Sequence, residues 1–205
     1  MRNLSKALVA LALALGAAGA QAQVQSPTSH RHDGFYLRLD LGLGYMHQKE
    51  PQTGGDLEIS GAAGEFGVAV GGALQDNLIL AGHLFGMSIS DPKVSVGGVQ
   101  QASSLSSSTL VGIGPQLTYY FMPANVYVSG TLALTRLSTR NSGVDGNSEW
   151  GGGLQLAVGK EWWVSDDWGL GVAAQLFGSS NKDQGTNAPT ISTWGAAVAF
   201  SATYN

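Results

Sequence analysis

Apolar and polar positions alternate from Phe35 to Tyr45. Phe35, Leu37, Leu39, Leu41, Leu43 and Tyr45 fall on one face, and Tyr36, Arg38, Asp40, Gly42 and Gly44 on the other. A period of two predicts a β-strand. Soluble strands average about five or six residues, whereas a tilted strand needs about 9–11 to cross a bilayer; this run has the longer span. Weaker copies follow. Residues 61–74 set Phe66, Val68, Val70 and Leu74 against Glu65, Gly67, Ala69 and Gly71. Residues 78–87 are apolar on both faces, which leaves their register open. Residues 109–121 set Val111, Ile113, Pro115, Leu117, Tyr119 and Phe121 against Gly112, Gly114, Gln116, Thr118 and Tyr120. Pro115 lacks a ladder donor and marks a candidate bulge. Residues 126–137, 150–164, 168–177 and 191–204 complete eight predicted strands, an even count as in bacterial single-chain membrane barrels.

The connections obey a parity. Residues 48–60, 88–108, 138–149 and 178–190 are long and polar, while Gln75-Asp76-Asn77, Met122-Pro123-Ala124-Asn125 and Ser165-Asp166-Asp167 are short. Long and short alternate along the whole chain, as external loops and periplasmic turns do in outer-membrane barrels. Aromatic residues gather at both ends of the strands. Phe35, Tyr119, Phe121, Trp162, Trp168 and Tyr204 lie beside the turns or termini, and Tyr45, Trp150 and Trp194 lie at the loop ends. Two such girdles are expected where rings meet lipid headgroups. The predicted fold is all-β: a closed antiparallel eight-stranded transmembrane barrel with up-and-down connectivity.

Composition agrees with a wall that is apolar outside and polar inside. Hydrophobic residues make up 43% of the chain and charged residues 12%, against about a quarter charged in soluble proteins. Mean hydropathy is nevertheless only +0.06, too polar for a bundle of membrane helices. There is no cysteine, so stability has to come without disulfides; a closed barrel leaves no unpaired edge. A net charge of −4 argues against nucleic acid as a partner, since phosphates require a basic face. Arg2 and Lys6, the apolar run Ala7 to Leu15 and Ala20-Gln21-Ala22 read as a secretory signal peptide over residues 1–22. Residues 23–33 read as a short, solvated periplasmic lead-in, and residues 34–205 as the barrel domain. His30 and His32 in the lead-in have no third ligand beside them, so no metal or cofactor site is expected.

Chemistry is sparse. Arg38, Asp40 and Glu65 face inward by the alternation, Glu161 joins them near the periplasmic end, and Lys160 sits at the interface. Charges at this depth are costly unless paired. They read as a network filling a narrow lumen, with a gated ion path as the alternative. Inward glycines and alanines leave room for a small water-filled space. His47, His83 and the serines from Ser103 to Ser108 are candidates for hydroxyl–imidazole chemistry, and no spacing among them defines a triad.

GFYLRLDLGLGY at the start, GIGPQLTYYFMP before one turn, KEWWVSDDWGLGV around another and an aromatic last strand together resemble the small outer-membrane barrels of the OmpA-barrel and OmpX type. The resemblance covers residues 34–205. It implies a monomer surrounded by outer-membrane lipid, engaged by barrel-assembly machinery during biogenesis, without a cofactor. Such barrels usually end on an aromatic residue; here Tyr204 is followed by Asn205. No periplasmic domain follows the barrel, so peptidoglycan anchoring is not expected. The expected role is non-enzymatic: structural, or surface interaction through the four long loops. The alternatives are a narrow channel for small or apolar solutes, a lipid-modifying enzyme, and a soluble barrel of the lipocalin kind.

Overall fold

The computed structural model describes residues 31–141, 144–185 and 188–205. The predicted signal peptide, and residues 23–30 of the lead-in with His30, lie outside the described residues. Eight long strands form the wall: β1 (Phe35–Glu50), β2 (Leu57–Gln75), β3 (Leu78–Ser90), β6 (Leu105–Phe121), β7 (Val126–Asn141), β9 (Gly151–Trp163), β10 (Trp168–Lys182) and β11 (Thr190–Tyr204). Three short strands, β4 (Lys93–Val96), β5 (Val99–Gln101) and β8 (Val144–Asn147), lie within the long connections. Each wall strand pairs antiparallel with its neighbours in sequence, and β1 closes the circle by pairing with both β2 and β11. The closing ladder runs from Leu37↔Tyr204 to Lys49↔Ser192 without a break.

Six of the wall strands are clearly longer than the alternation predicted, while β9 and β11 are close to their predicted spans. β1 has 16 residues and β2 has 19, against about 9–11 needed for the bilayer. The excess lies at the loop ends of β1, β2, β3, β6, β7 and β10, so much of the predicted long loops is sheet. The turn side is tight. Asp76 and Asn77 alone join β2 to β3, and Asn77 takes the left-handed conformation (φ 66°) that asparagine tolerates in such a turn. The bulge expected at Pro115 is absent. Its pairing with Gly82 is in register, and on the β7 side the register is the same at Ile113↔Leu134 and Gln116↔Thr131. The irregularities fall at Ala73/Gln75 and Leu105/Ser107 instead.

The wall has an apolar outside and a mixed inside. Leu43 is 77% exposed and Phe200 72%, and every wall strand presents large apolar side chains outward. A contiguous apolar band of this extent is incompatible with water. A lipocalin-like barrel has the opposite polarity, so that alternative is overturned. The register of β3 is now fixed: His83, Phe85, Met87 and Ile89 point inward, and Leu80 and Leu84 outward. Inward glycines at two places are filled by rings rather than left open. A Cβ on Gly112 would lie 2.5 Å from the Phe85 ring, and one on Gly159 2.5 Å from that of Tyr127. Each of these two glycines is the socket for a ring on the paired neighbouring strand, the small-against-large packing of narrow barrels.

Candidate functional site

Two places could carry function: the lumen and the cup formed by the extended strands. At the periplasmic end the lumen is closed by the residues just before β1. His32 is 0% exposed. Its ring stacks on Tyr120 at 3.6 Å, and its Nε2–H donates to Asn125 Oδ1 at 2.9 Å. The His32 carbonyl accepts from Asn77 N–H and the Asn77 carbonyl from Tyr120 N–H, both at 2.9 Å. His32 is therefore a stopper in the barrel mouth, which corrects its reading as part of a solvated lead-in. Nothing in the sequence around it signalled this; only the turns that receive it, at Asn77 and Asn125, make the pocket. His32→Ala should destabilise the barrel by about 1–3 kcal/mol by removing the stack and stranding a buried amide. Urea unfolding in detergent measures this, and an unchanged midpoint would show that the stopper contributes nothing.

Above His32 lies a polar layer. Tyr36 and Tyr120 share a hydroxyl contact at 3.2 Å, and Tyr120 OH donates to Glu161 Oε1 at 3.3 Å. Thr203 donates to the same oxygen at 2.7 Å. Arg38, 1% exposed, pairs with Asp40 at 3.2 Å. It also donates to Gln116 Oε1 at 3.3 Å and stands 4.9 Å from the centre of the Tyr127 ring. The Gln116 amide in turn donates to His83 Nδ1 at 3.0 Å and to Thr131 Oγ1 at 3.1 Å. Glu65 is buried on the same inner face beside Gln175. All four predicted lumen charges are thus inside. Of these four, only Arg38 and Asp40 form an ion pair, and Glu161 is held by hydroxyls.

A second, apolar layer spans the lumen on the loop side: Met46, Met87, Ile89, Leu110, Leu137 and Phe177 pack together with Ala63 and Ala197. Sequence reasoning missed it. The available signal was the stretch 78–87, apolar on both faces, which is what a strand between lipid and an apolar layer requires. Above this layer the extended strands enclose a cup of about 420 Å³. Its apolar lining is Leu57, Ile59, Leu105, Leu137 and Ile191, and Lys49 also lines it. Asp56 hydrogen-bonds the Lys49 ammonium and holds its pKa above the ordinary lysine value.

The predicted girdle residues all face outward. Phe35, Tyr119, Phe121, Trp162 and Trp168 are exposed at the turn side with Tyr204 half-buried beside them, and Tyr45, Trp150 and Trp194 are exposed at the loop side. His47 also faces outward, 5.7 Å from Trp194, whereas His83 is in the lumen. The two imidazoles are on opposite sides of the wall and do not share a site.

No family model matches the chain, and no curated protein matches it. Among solved structures, the crystal structure of Neisserial surface protein A is similar over 84% of this chain and 97% of that one, at 18% identity and a TM-score of 0.51. The solid-state NMR structure of outer membrane protein AlkL in DMPC bilayers covers 90% of this chain and 95% of its own, at 12% identity and a TM-score of 0.49. The crystal structure of OprG from Pseudomonas aeruginosa covers 85% and 98%, at 11% identity and a TM-score of 0.47. The likeness concerns the fold: the chain is a closed eight-stranded barrel of the small outer-membrane kind.

Proposed function

We propose that this chain is exported to the outer membrane and acts there as a monomeric, non-conducting anchor for an extracellular interaction surface, the rigid cup built by its extended strands. The observation that carries this reading is the double closure of the lumen. An apolar layer around Phe177 and Met87 and a polar layer around Arg38 lie in series between the cup and the His32 stopper. Loops held on a rigid scaffold are the usual place for binding, and here the loops are stiffened into sheet. The apolar band runs around all eight wall strands, which supports a monomer in contact with lipid over its full circumference.

Liposome efflux tests the reading. The refolded protein should float with lipid and release no entrapped solute. Flotation with rapid release of small ions would favour a channel, and release of apolar solutes alone would favour an uptake path starting at the apolar wall of the cup. Failure to float would remove the membrane assignment itself.

A further inference from the structure

The outward face changes character abruptly along one side of the wall. Leu84, Ile113 and Leu134 form an aliphatic row across β3, β6 and β7. One row nearer the loops come Gly86, Val111 and Arg136. Beyond these lie Ser88, Thr109 and Ser138, joined by Asn147 of β8. The last row is Ser90, Ser107 and Arg140, with Asp145. Successive rows are about 7 Å apart along a strand, or ~5 Å along the membrane normal at a tilt of about 40°. The hydroxyl rows therefore stand at headgroup depth, directly above the apolar band. They enclose a polar recess of about 260 Å³ lined by Ser107, Thr109, Ser138 and Asn147.

Arg136 stands at the boundary. Thr135 pairs with Gly151, which sets Trp150 beside Arg136, and the guanidinium lies 5.9 Å from the indole centre. Its Nε donates to the Ser148 carbonyl at 3.3 Å, which fixes the side chain. On the far side of Trp150, Ser180 pairs with Gly152, and Glu149 N–H donates to the Lys182 carbonyl at 2.8 Å. Lys182 is thereby level with Trp150, and by the alternation of β10 it faces outward. Two cations flank one indole. Among the described residues neither is in an ion pair, whereas Lys49 and Arg140 each have an aspartate partner.

An unpaired arginine fixed at the edge of an apolar band calls for an anion. Guanidinium matches phosphate in two-pronged geometry, with lysine adding a point charge. The hydroxyl recess above suits a sugar, and the aliphatic rows below suit acyl chains. We infer that Arg136 and Lys182, astride Trp150, bind a phosphate of an outer-leaflet glycolipid, with its saccharide in the Ser107–Ser138 recess and its chains on the Ile113–Leu134 row. This rests on the outer-membrane reading.

The test is native mass spectrometry of the refolded protein in mild detergent, titrated with lipopolysaccharide lacking its O-chain, with the same lipid after removal of its phosphates, and with inorganic phosphate. One lipopolysaccharide per barrel is expected. Dephosphorylation, or the double change Arg136→Gln with Lys182→Gln, should weaken binding by about tenfold or more, while Arg136→Lys, which keeps the charge and loses the two-pronged geometry, should fall between the wild type and the double variant. Inorganic phosphate should not displace the lipid. Displacement by inorganic phosphate at comparable concentration would make this a free-anion site and overturn the lipid assignment. Equal binding by the double variant, or by the dephosphorylated lipid, would overturn the proposal outright. Heat-modifiable electrophoretic mobility confirms that each variant is folded; should Arg136→Gln not fold, Lys182→Gln and the dephosphorylated lipid carry the same test. Flotation separates the two failures. A protein that does not enter vesicles removes the membrane reading, and one that floats but ignores phosphate removes only this inference.

Discussion

Gly114→Ala is expected to prevent the barrel from closing, or to cost more than about 3 kcal/mol if it still closes. Overpacking in a well-packed interior usually costs about 1–3 kcal/mol because side chains can shift. Here the obstacle is backbone. An inward Cβ on Gly114 would run into the carbonyl oxygen of Leu132 on the neighbouring strand and the Cα of Ala133 behind it. Pro115 next door has no N–H to give, and the ladder pairs Ile113 with Leu134 and Gln116 with Thr131 with no pair between them. The β7 backbone lies where a Gly114 Cβ would stand, and only a residue without a side chain fits. Relief would require the two strands to part in the middle of the apolar band, where no water can satisfy the freed groups. Gly152→Ala is the control, since its Cβ would meet nothing within 4 Å. Heat-modifiable mobility after refolding in detergent reads both. A fully folded Gly114→Ala variant with an unshifted urea midpoint would show that β6 and β7 leave room for a methyl group at this point.

What the sequence made legible and what it hid follow from one physical distinction. Where lipid touches a strand, one face must be apolar, and the period of two is visible; hence β1, β2, β6, β10 and β11 are evident from Leu39, Val70, Ile113, Val172 and Phe200. Loop parity and the girdle around Tyr45, Trp162 and Trp194 are legible for the same reason, because both are set by the bilayer. The strand extensions beyond it are not. His47-Gln48-Lys49-Glu50 has no apolar face, and its strand character comes from pairing with residues 57–60 on β2 and 192–194 on β11. The register of β3 was hidden because Phe85, Met87 and Ile89 enter an apolar layer inside while Leu80 and Leu84 face lipid outside. His32 and the Arg136–Trp150–Lys182 row were hidden because each depends on residues distant in sequence meeting at one height. Trp150 was legible as a girdle residue; its two cationic neighbours required the register of β7, β9 and β10.

The second large effect is expected inside the lumen. Arg38→Leu should destabilise the barrel by about 3–5 kcal/mol, the usual cost of removing one partner from a buried pair. Arg38 is the only cationic side chain that the described residues place in this layer, and it faces Asp40, with Glu65 and Glu161 on the same inner surface. Its loss leaves carboxylates without a counter-charge and deprives Gln116 of a donor, so the Gln116–His83–Thr131 contacts loosen with it. The double change Arg38→Leu with Asp40→Leu removes both charges of the pair and should recover a substantial part of the loss, because well-packed apolar substitutes for a buried ion pair are often neutral or better. The difference between the single and double variants measures that recovery. Glu161→Gln should cost less, because its oxygen is held by the Thr203 and Tyr120 hydroxyls, which an amide oxygen also accepts. Urea midpoints of the three variants in the same detergent provide the comparison. If Arg38→Leu is neutral, or if Asp40→Leu rescues nothing, the ion pair is incidental and the ring packing around Tyr127 and Phe85 alone holds the lumen shut.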